Sequence, residues 1–202
     1  MKNNSLSLVK KLVLTAALSA LTIILGTTPL GMIPLGAASL TILHIPVIIA
    51  ACLVGLWSGV FVGSTFGILS LILAATRPTG ALDPLFVNPL VSVLPRILFA
   101  VVAWGLWKLL NMIPKLPRVI SAGIAAFAST IAHTLMVIGC LYIFQGGAVK
   151  DAMGGTGYWV LIGSLLPQAS MEAAAATIIT VVVFLGIFVS TKRKSKISNI
   201  ED

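Results

Sequence analysis

Five polar side chains lie within or at the edge of strongly apolar segments, where a binding site or a proton path could use them. They are Asn88, Arg96, His133, Gln168 and Glu172. If these segments cross a membrane, an arginine near the bilayer centre costs at least about 2.5–3.5 kcal/mol, so Arg96 is expected to face a partner or a water-filled cavity. There its guanidinium could bind an anionic or polar ligand. The alternatives are an arginine that extends to the outer headgroups, or a structural pair with Asp83 or Glu172.

The residues before Arg96 predict a helix that begins and then bends. Asn88 followed by Pro89 is typical of a helix start, with a capping side chain and then a proline at the first helical position. Pro95 has no amide hydrogen, so it leaves the carbonyl of Val91 without its helical donor and favours a kink. Arg96 is therefore expected about two turns into this helix, beside a distorted backbone.

The remaining polar candidates lie on two later segments. Gln168 and Glu172 are one helical turn apart and share a helix face, and Glu172 is the only acidic residue well inside an apolar segment. His133, like His44 in an earlier segment, could contact a ligand or could form a hydrogen bond between helices. Sequence alone leaves both interpretations open.

The chain that must position these side chains has the composition of a membrane protein. It is 58% hydrophobic and 9% charged, whereas soluble domains carry about 25% charged residues, and its mean hydropathy is +1.12. A membrane helix needs roughly 20 apolar residues, and six segments approach this length. They are Leu12–Leu30, Leu40–Trp57, Gly59–Ala75, Pro89–Asn111, Val119–Phe144 and Tyr158–Ser190. The sequence therefore predicts an all-α membrane protein with six transmembrane helices in one domain, residues 1–202.

Basic residues indicate how this domain is oriented. The N-terminal MKNNSLSLVKK resembles the start of a signal peptide, but the apolar run continues through Leu25 and five more segments follow, so a retained first helix is expected. The net charge is +8, and ten of the 13 basic residues lie on one side of the predicted membrane. By the positive-inside rule both termini are cytoplasmic, with basic tails at 1–11 and 191–202. The outer loops, 26–39, 76–88 and 145–157, are rich in glycine and proline and could form binding lids.

Other functional classes lack their motifs. The basic residues form no continuous soluble face, so a nucleic-acid partner is not expected. There is no Walker A, HExxH or GxSxG motif and no pair of catalytic carboxylates, so neither direct ATP binding nor an enzyme is expected. Cys52 and Cys140 both lie in apolar segments and are expected to be buried free thiols. Without a CxxC motif or a Cys/His cluster, no metal or other cofactor is predicted.

Small residues mark two helix faces that could pack closely. Ala16 and Ala20 are four residues apart in the first segment, a spacing that suits either an intramolecular neighbour or a partner helix. Four glycines recur at the same spacing from the end of the second segment into the third, and intramolecular packing is the favoured interpretation there. They are Gly55, Gly59, Gly63 and Gly67.

Two stretches carry a family resemblance, PLGMIPLGAASLTILHIPVIIAACLVGLWSGVFVGSTFGILSLI and DPLFVNPLVSVLPR. From about Leu12 to the last segment, the chain resembles the substrate-binding S components of energy-coupling factor (ECF) vitamin transporters. The resemblance implies a six-helix bundle in the bacterial cell membrane that captures a vitamin from outside. It also implies assembly with a T component and two cytoplasmic ATPases, whose ATP hydrolysis drives release inside.

The resemblance also implies roles for individual residues. The AxxxA-type motif of Ala16 and Ala20 would contact the T component. The pocket would form from the outer loops and the outward halves of the last three helices, which contain the substrate-binding candidates Asn88, Arg96, His133, Gln168 and Glu172.

The same stretches also favour one type of substrate. The IPLG…HIPVI and NPL…LPR patterns look most like the pantothenate type, and a carboxylate ligand would suit Arg96. Riboflavin, folate, pyridoxine, cobalamin and pyrimidines remain alternatives. A stand-alone proton-coupled transporter, with Glu172 and His133 as a relay, is a further alternative, although no repeated half is evident. A purely structural membrane subunit is the last.

Overall fold

The structure is a computed structural model. It describes residues 7–28, 31–34, 39–78, 82–152, 154–155 and 157–201. Side chains are described for the same ranges except 32–34, 39–40 and 191–201. Most of the predicted N-terminal tail, parts of the three predicted outer loops and the side chains of the C-terminal tail therefore lie outside the described residues.

The first predicted span is a helix that begins earlier than expected. Helix α1 covers Leu8–Thr27, and the Ser7 side chain accepts a hydrogen bond from the Lys10 amide at its start. A capping serine supplies an acceptor for amides that have no helical partner. Because Ser7 provides this cap, Lys10 and Lys11 become part of the first turns instead of a tail.

The prediction that Leu40–Trp57 forms one membrane-spanning helix is wrong. Residues Met32–Pro34 (β1) and Ser39–Thr41 (β2) form a small antiparallel hairpin. Before Gly55, only Ile45–Val54 of this span is helical, as α2 (Ile45–Ile49) followed by a π-helical turn (Ala50–Val54). At 1.5 Å per residue this segment is about 15 Å long, roughly half of a bilayer core. Hydropathy alone does not reveal that Leu40 and Thr41 pair in a strand.

A single glycine joins this short segment to the next helix. Gly55 has φ 131° and ψ 178°, a conformation that side chains disfavour, and α3 (Leu56–Thr76) begins directly after it. A Cβ added to Gly59 would lie 2.7 Å from the Cβ of Ala51 across the turn. The second and third segments therefore form a tight helical hairpin.

The fourth span is interrupted close to the predicted position. After a 3-10 helix, Asp83–Val87, the chain forms α4 (Pro89–Ser92) and α5 (Leu94–Leu110), with the break at Val93. The Asn88 side chain accepts from the Leu90 amide at 3.0 Å, which confirms the predicted cap. Taken together, Pro89–Leu110 is long and apolar enough to cross a membrane.

The last two spans form the longest helical pair. Helix α6 covers Arg118–Ala152 but is interrupted at Gln145 (φ −143°, ψ 28°), directly after the predicted end at Phe144. Helix α7 covers Tyr158–Glu201 and contains Pro167. Its part Tyr158–Ser190 matches the sixth predicted span, and the helix then continues into the basic C-terminal sequence.

Helix directions follow from contacts between neighbours. The hydroxyl groups of Thr15 and Ser58 are 2.8 Å apart near the starts of α1 and α3, so these helices run parallel. A Cβ on Gly123, early in α6, would meet Val181 at 3.0 Å, late in α7, so this pair is antiparallel. Cys52, shortly before α3, and Phe184, late in α7, line the same cavity. The start of α1 and the late part of α7 therefore lie at one end of the bundle, here named the terminal end. The strands and the 3-10 helix lie at the other, here named the hairpin end.

The glycine face of α3 packs inside the chain, as the sequence favoured. A Cβ on Gly63 would lie 2.6 Å from the carbonyl oxygen of Arg96, and one on Gly67 would lie 2.7 Å from the Cα of Val93. Close backbone approach thus fixes α3 against the broken α4–α5 helix. Among the described residues, five helices are long and apolar enough to span a membrane, and Ile45–Val54 is a shorter apolar helix.

Candidate functional site

The guanidinium of Arg96 bonds to the backbone that the proline disturbs. Its Nη1 donates a hydrogen bond to the carbonyl of Val91 at 2.8 Å. Pro95 cannot donate to this carbonyl from the helical position, so the neighbouring side chain takes the place of the missing amide. A second nitrogen, Nη2, lies 3.4 Å from the Ser70 hydroxyl. Arg96 is thus held away from lipid and is only 5% exposed.

Two aromatic rings enclose the same guanidinium. Its central carbon lies 5.2 Å from the ring centre of Phe66 and 5.1 Å from that of Phe86. Such cation–π contacts contribute about 0.5–2 kcal/mol each, with the larger values in desolvated sites. Phe66 comes from α3 and Phe86 from the 3-10 helix. The carbonyl of Phe86 accepts from the Ser92 hydroxyl, which ties that short helix to α4.

Glu172 connects α7 to the hairpin. Its carboxylate accepts a hydrogen bond from the backbone amide of Thr41 at 2.7 Å, and the Gln168 side-chain amide lies 3.5 Å away. In the part of the chain that the structure describes, no ion pair joins Glu172 to Arg96. The alternative of a structural Arg96–Glu172 pair is therefore not supported, and Arg96 retains N–H groups that could bind a ligand.

His133 lies in a packed aromatic group beside Arg96. Its ring centre is 4.8 Å from that of Phe99 and 6.2 Å from that of His44, with which it is nearly parallel. His133 is 4% exposed, and its Nε2 forms no hydrogen bond within the described residues. The Nε of Arg96 is likewise buried without a hydrogen bond there. A buried polar atom without a partner costs about 1–3 kcal/mol, which a bound ligand could recover.

These side chains surround a cavity of about 90 Å³ at the hairpin end, here named the Arg96 cavity. Its lining residues come from the hairpin, the 3-10 helix, α5, α6 and α7. They are Thr41, Leu82, Phe86, Arg96, His133, Thr134, Val137, Ile138, Leu141, Leu165, Gln168, Ala169 and Glu172.

Four of the five predicted substrate-binding residues meet in this cavity, and one does not. Arg96, His133, Gln168 and Glu172 all line it. Asn88 is absent from the lining, and its side chain caps α4 instead. The helix cap that the sequence predicts for Asn88 is therefore observed. Its role in substrate binding stays a prediction.

Several lining residues have no counterpart in the sequence analysis. Thr134, Val137, Ile138 and Leu141 follow His133 at the spacing of one helix face, so this face could have been extended from the histidine. Leu165 and Ala169 continue the face of Gln168 in the same way. Phe86 and Thr41 carry no such local signal, because they reach the cavity through a 3-10 helix and a strand.

The cavity is suited to holding a small polar molecule. Arg96 offers N–H donors, Glu172 offers carboxylate oxygens, and His133 and Gln168 can donate or accept. Leucine, isoleucine and valine side chains, with Phe86 and Ala169, supply the apolar remainder of the lining. Within the described residues, no cluster of three or more His, Cys, Asp or Glu side chains could hold a metal ion.

The predicted partner face lies on α1, away from the Arg96 cavity. Ala16 and Ala20 are exposed, whereas Ser19 and Thr22 on the same helix are buried. The small-residue motif is therefore not used for packing inside the described chain. Both cysteines are buried free thiols, as expected.

Comparisons with known proteins agree with the family resemblance. The family "ECF transporter, substrate-specific component" matches residues 10–184. The pantothenic acid transporter PanT of Lactococcus lactis subsp. cremoris (strain MG1363) is 29% identical over 155 residues, which are 69% of this chain and 73% of that protein. The pantothenate transporter PanT of Leuconostoc mesenteroides subsp. mesenteroides is 37% identical over 107 residues, or 50% of this chain and 51% of its own length.

The chain thus spans about half the length of the second relative and nearly three quarters of the first. The family match covers most of the 202 residues and includes every residue that lines the Arg96 cavity. With its apolar helices, the chain is a multi-pass membrane protein, and it belongs to the family of substrate-specific components of ECF transporters.

Proposed function

We propose that this protein binds pantothenate as the substrate-binding subunit of an ATP-driven ECF uptake transporter in the bacterial cell membrane. In this proposal the whole chain is a single transmembrane domain with both termini in the cytoplasm and the Arg96 cavity on the outer side. The names of two relatives support the choice of substrate. The structural observation that supports this proposal is the buried Arg96 guanidinium. It keeps N–H groups that are free to donate and lies beside a cavity with both polar and apolar lining residues.

The chemistry of pantothenate fits the side chains of this cavity. The vitamin has a carboxylate at one end and an amide, two hydroxyl groups and two methyl groups towards the other. Arg96 would bind the carboxylate, and hydrogen bonds between charged groups contribute about 1.5–3 kcal/mol. Glu172 and Gln168 would bind hydroxyl or amide groups, and Ile138 and Leu141 would contact the methyl groups.

Binding requires the cavity to widen. Pockets for drug-sized ligands are roughly 300–1,000 Å³, and the Arg96 cavity measures about 90 Å³. Side chains and short elements around it must therefore move when a vitamin enters. The bound state would differ from this structure at the hairpin end more than along the long helices.

Transport would need other polypeptides. The sequence has no Walker A motif, so ATP hydrolysis would come from two partner ATPases, coupled through a T component. The exposed small residues Ala16 and Ala20 on α1 would allow a T-component helix to approach closely. The basic residues of the terminal end would place that end at the cytoplasmic surface.

Calorimetric titration of the detergent-purified protein tests the substrate. We expect pantothenate to bind tightly, and pantothenol, which has a neutral alcohol in place of the carboxylate, to bind at least tenfold more weakly. Equal affinities would contradict the role of Arg96. Binding of riboflavin or another vitamin in preference to pantothenate would assign a different substrate.

Uptake into proteoliposomes tests the energy source. With the T component and the ATPases present, uptake should require ATP on the side of the membrane that carries the ATPases. Uptake should stop when the ATPases are omitted. Uptake by this chain alone, driven by a proton gradient, would favour a secondary transporter with Glu172 and His133 as the proton relay.

A further inference from the structure

A second and larger cavity lies at the terminal end, here named the Trp107 cavity. It measures about 610 Å³ and shares no lining residue with the Arg96 cavity. It is bounded by the π-helical turn, α5, the start of α6, and α7. Its lining residues are Cys52, Leu53, Trp104, Trp107, Lys108, Asn111, Met112, Arg118, Phe184, Ile187 and Phe188.

The inner part of this cavity is apolar. Phe184 is 1% exposed and Cys52 is 7% exposed, so these side chains lie inside the bundle. The Trp107 ring meets the Phe184 ring edge-on, with ring centres 5.0 Å apart. A molecule that enters between α5 and α7 would therefore meet hydrocarbon and aromatic surface.

The outer part of the same cavity is cationic. Lys108 and Arg118 are both exposed, and the Lys108 ammonium lies 5.0 Å from the centre of the Trp104 ring. The Asn111 side-chain amide donates one hydrogen bond to the carbonyl of Trp107, which leaves its second N–H group for another acceptor. The described lining contains no Asp or Glu, so these two cations have no counter-charge within the cavity.

Membrane physics explains this combination of an apolar interior and a cationic rim. In a membrane the rim lies at headgroup depth, because tryptophan, lysine and arginine are typical of the membrane–water interface. Basic pockets between helices attract anionic lipid headgroups, and each Lys or Arg near the surface contributes about 1 kcal/mol. A free phosphate would use the cations but would leave the apolar inner part of the cavity unfilled.

We propose that the Trp107 cavity binds one anionic phospholipid from the leaflet at the terminal end. An acyl chain enters between α5 and α7 against Phe184 and Trp107, and the headgroup phosphate lies between Lys108 and Arg118. This inference depends on the chain being a membrane protein and not on the identity of the vitamin.

Native mass spectrometry of the full chain in detergent tests this site. The probes are dioleoylphosphatidylglycerol, dioleoylphosphatidylcholine and inorganic phosphate. The test variant is Lys108→Gln with Arg118→Gln, and the matched control is Lys10→Gln with Lys115→Gln, which removes two cations of the same end outside the cavity. We expect the test variant to bind phosphatidylglycerol roughly thirtyfold more weakly, because two headgroup contacts are lost. The control should bind it like the unaltered protein.

The outcomes separate the lipid site from its alternatives. Equal binding of phosphatidylcholine and phosphatidylglycerol, or equal losses in the test and control variants, would overturn the proposal. So would equal thermal stabilisation by inorganic phosphate, which would indicate a simple anion site. A test variant that keeps its phosphatidylglycerol but loses assembly with the T component would instead assign this cavity to a protein partner. Because both cations are exposed, the lipid-free Tm of the test variant should equal that of the control.

Discussion

Arg96 has two roles in this structure that a pair of substitutions can separate. Its guanidinium supplies the hydrogen bond that the carbonyl of Val91 lacks because of Pro95, and it presents further N–H groups to the cavity. Arg96→Met removes both roles while keeping a long apolar side chain. Pro95→Ala with Arg96→Met restores an amide at the helical position for Val91 but does not restore the guanidinium.

The size of each effect follows from the contacts. Leaving the buried carbonyl of Val91 without a donor costs about 1–3 kcal/mol of folding stability. Loss of a charge-assisted contact with the ligand carboxylate costs about 1.5–3 kcal/mol, or about 10- to 150-fold in affinity. Val93, at the break, has φ −91° and ψ −46°, which is still close to helical. An alanine at position 95 can therefore continue the helix and donate to Val91.

Thermal unfolding and calorimetric titration with pantothenate measure the two roles independently. We expect Arg96→Met to lower both Tm and affinity. The double variant should regain the part of the Tm that comes from the bond to Val91, but not the part from the Phe66 and Phe86 contacts, and it should not regain affinity. Arg77→Met is the matched control, since it removes an exposed arginine at the hairpin end, and it should leave both quantities nearly unchanged.

Either of two results would refute this reasoning. If the double variant regained pantothenate affinity, Arg96 would act only by completing the backbone of the bent helix. If Arg96→Met kept its affinity and its Tm, the carboxylate would bind elsewhere and the bond to Val91 would contribute little.

Three further predictions concern packing and assembly. Gly63→Ala should lower stability by about 1–3 kcal/mol, because the new Cβ would lie 2.6 Å from a backbone oxygen, whereas Gly105→Ala, where no atom lies within 4 Å, should not; equal Tm values for the two variants would contradict this packing. Glu172→Leu should speed hydrogen exchange of the Thr41 amide in β2, because that amide donates to the Glu172 carboxylate at 2.7 Å. Glu172→Gln keeps an acceptor oxygen and should change the exchange rate little. Similar rates in both variants would show that the bond does not hold the hairpin. Ala16→Leu with Ala20→Leu should reduce the yield of the complex with the T component while pantothenate affinity is retained, and a normal yield in co-purification would exclude this face as the contact.

Local chemistry made much of the fourth helix predictable from sequence. The Asn88 cap, the break near Pro95 and the loss of the helical donor to the Val91 carbonyl each depend on residues within a few positions of one another. What sequence did not reveal is that Arg96 itself supplies the missing donor. The sequence predicts the interrupted backbone and the inward-facing arginine as separate features, and the structure joins them.

Long-range pairing explains why other features were missed. The bond from the Thr41 amide to Glu172 joins residues 131 positions apart, and the strand that contains Thr41 interrupts an apolar run that reads as a helix. Gly55 then ends the short helical segment through a conformation that hydropathy does not record. Polar residues in apolar segments, by contrast, have few stable locations, which is why Arg96, His133 and Glu172 could be expected to face the interior.

The unequal walls of the Arg96 cavity indicate where room for a ligand is gained. Helices α6 and α7 are long and pack along each other, so displacing either would disturb many contacts at once. The opposite wall includes Leu82 and Phe86, and Phe86 belongs to a 3-10 helix of five residues. This short helix is held by a few individual bonds, among them one from the Gln145 side-chain amide to the carbonyl of Leu85 at 3.0 Å. Entry of a vitamin is therefore expected to displace the 3-10 helix, so that Phe86 leaves the guanidinium and a ligand carboxylate replaces it.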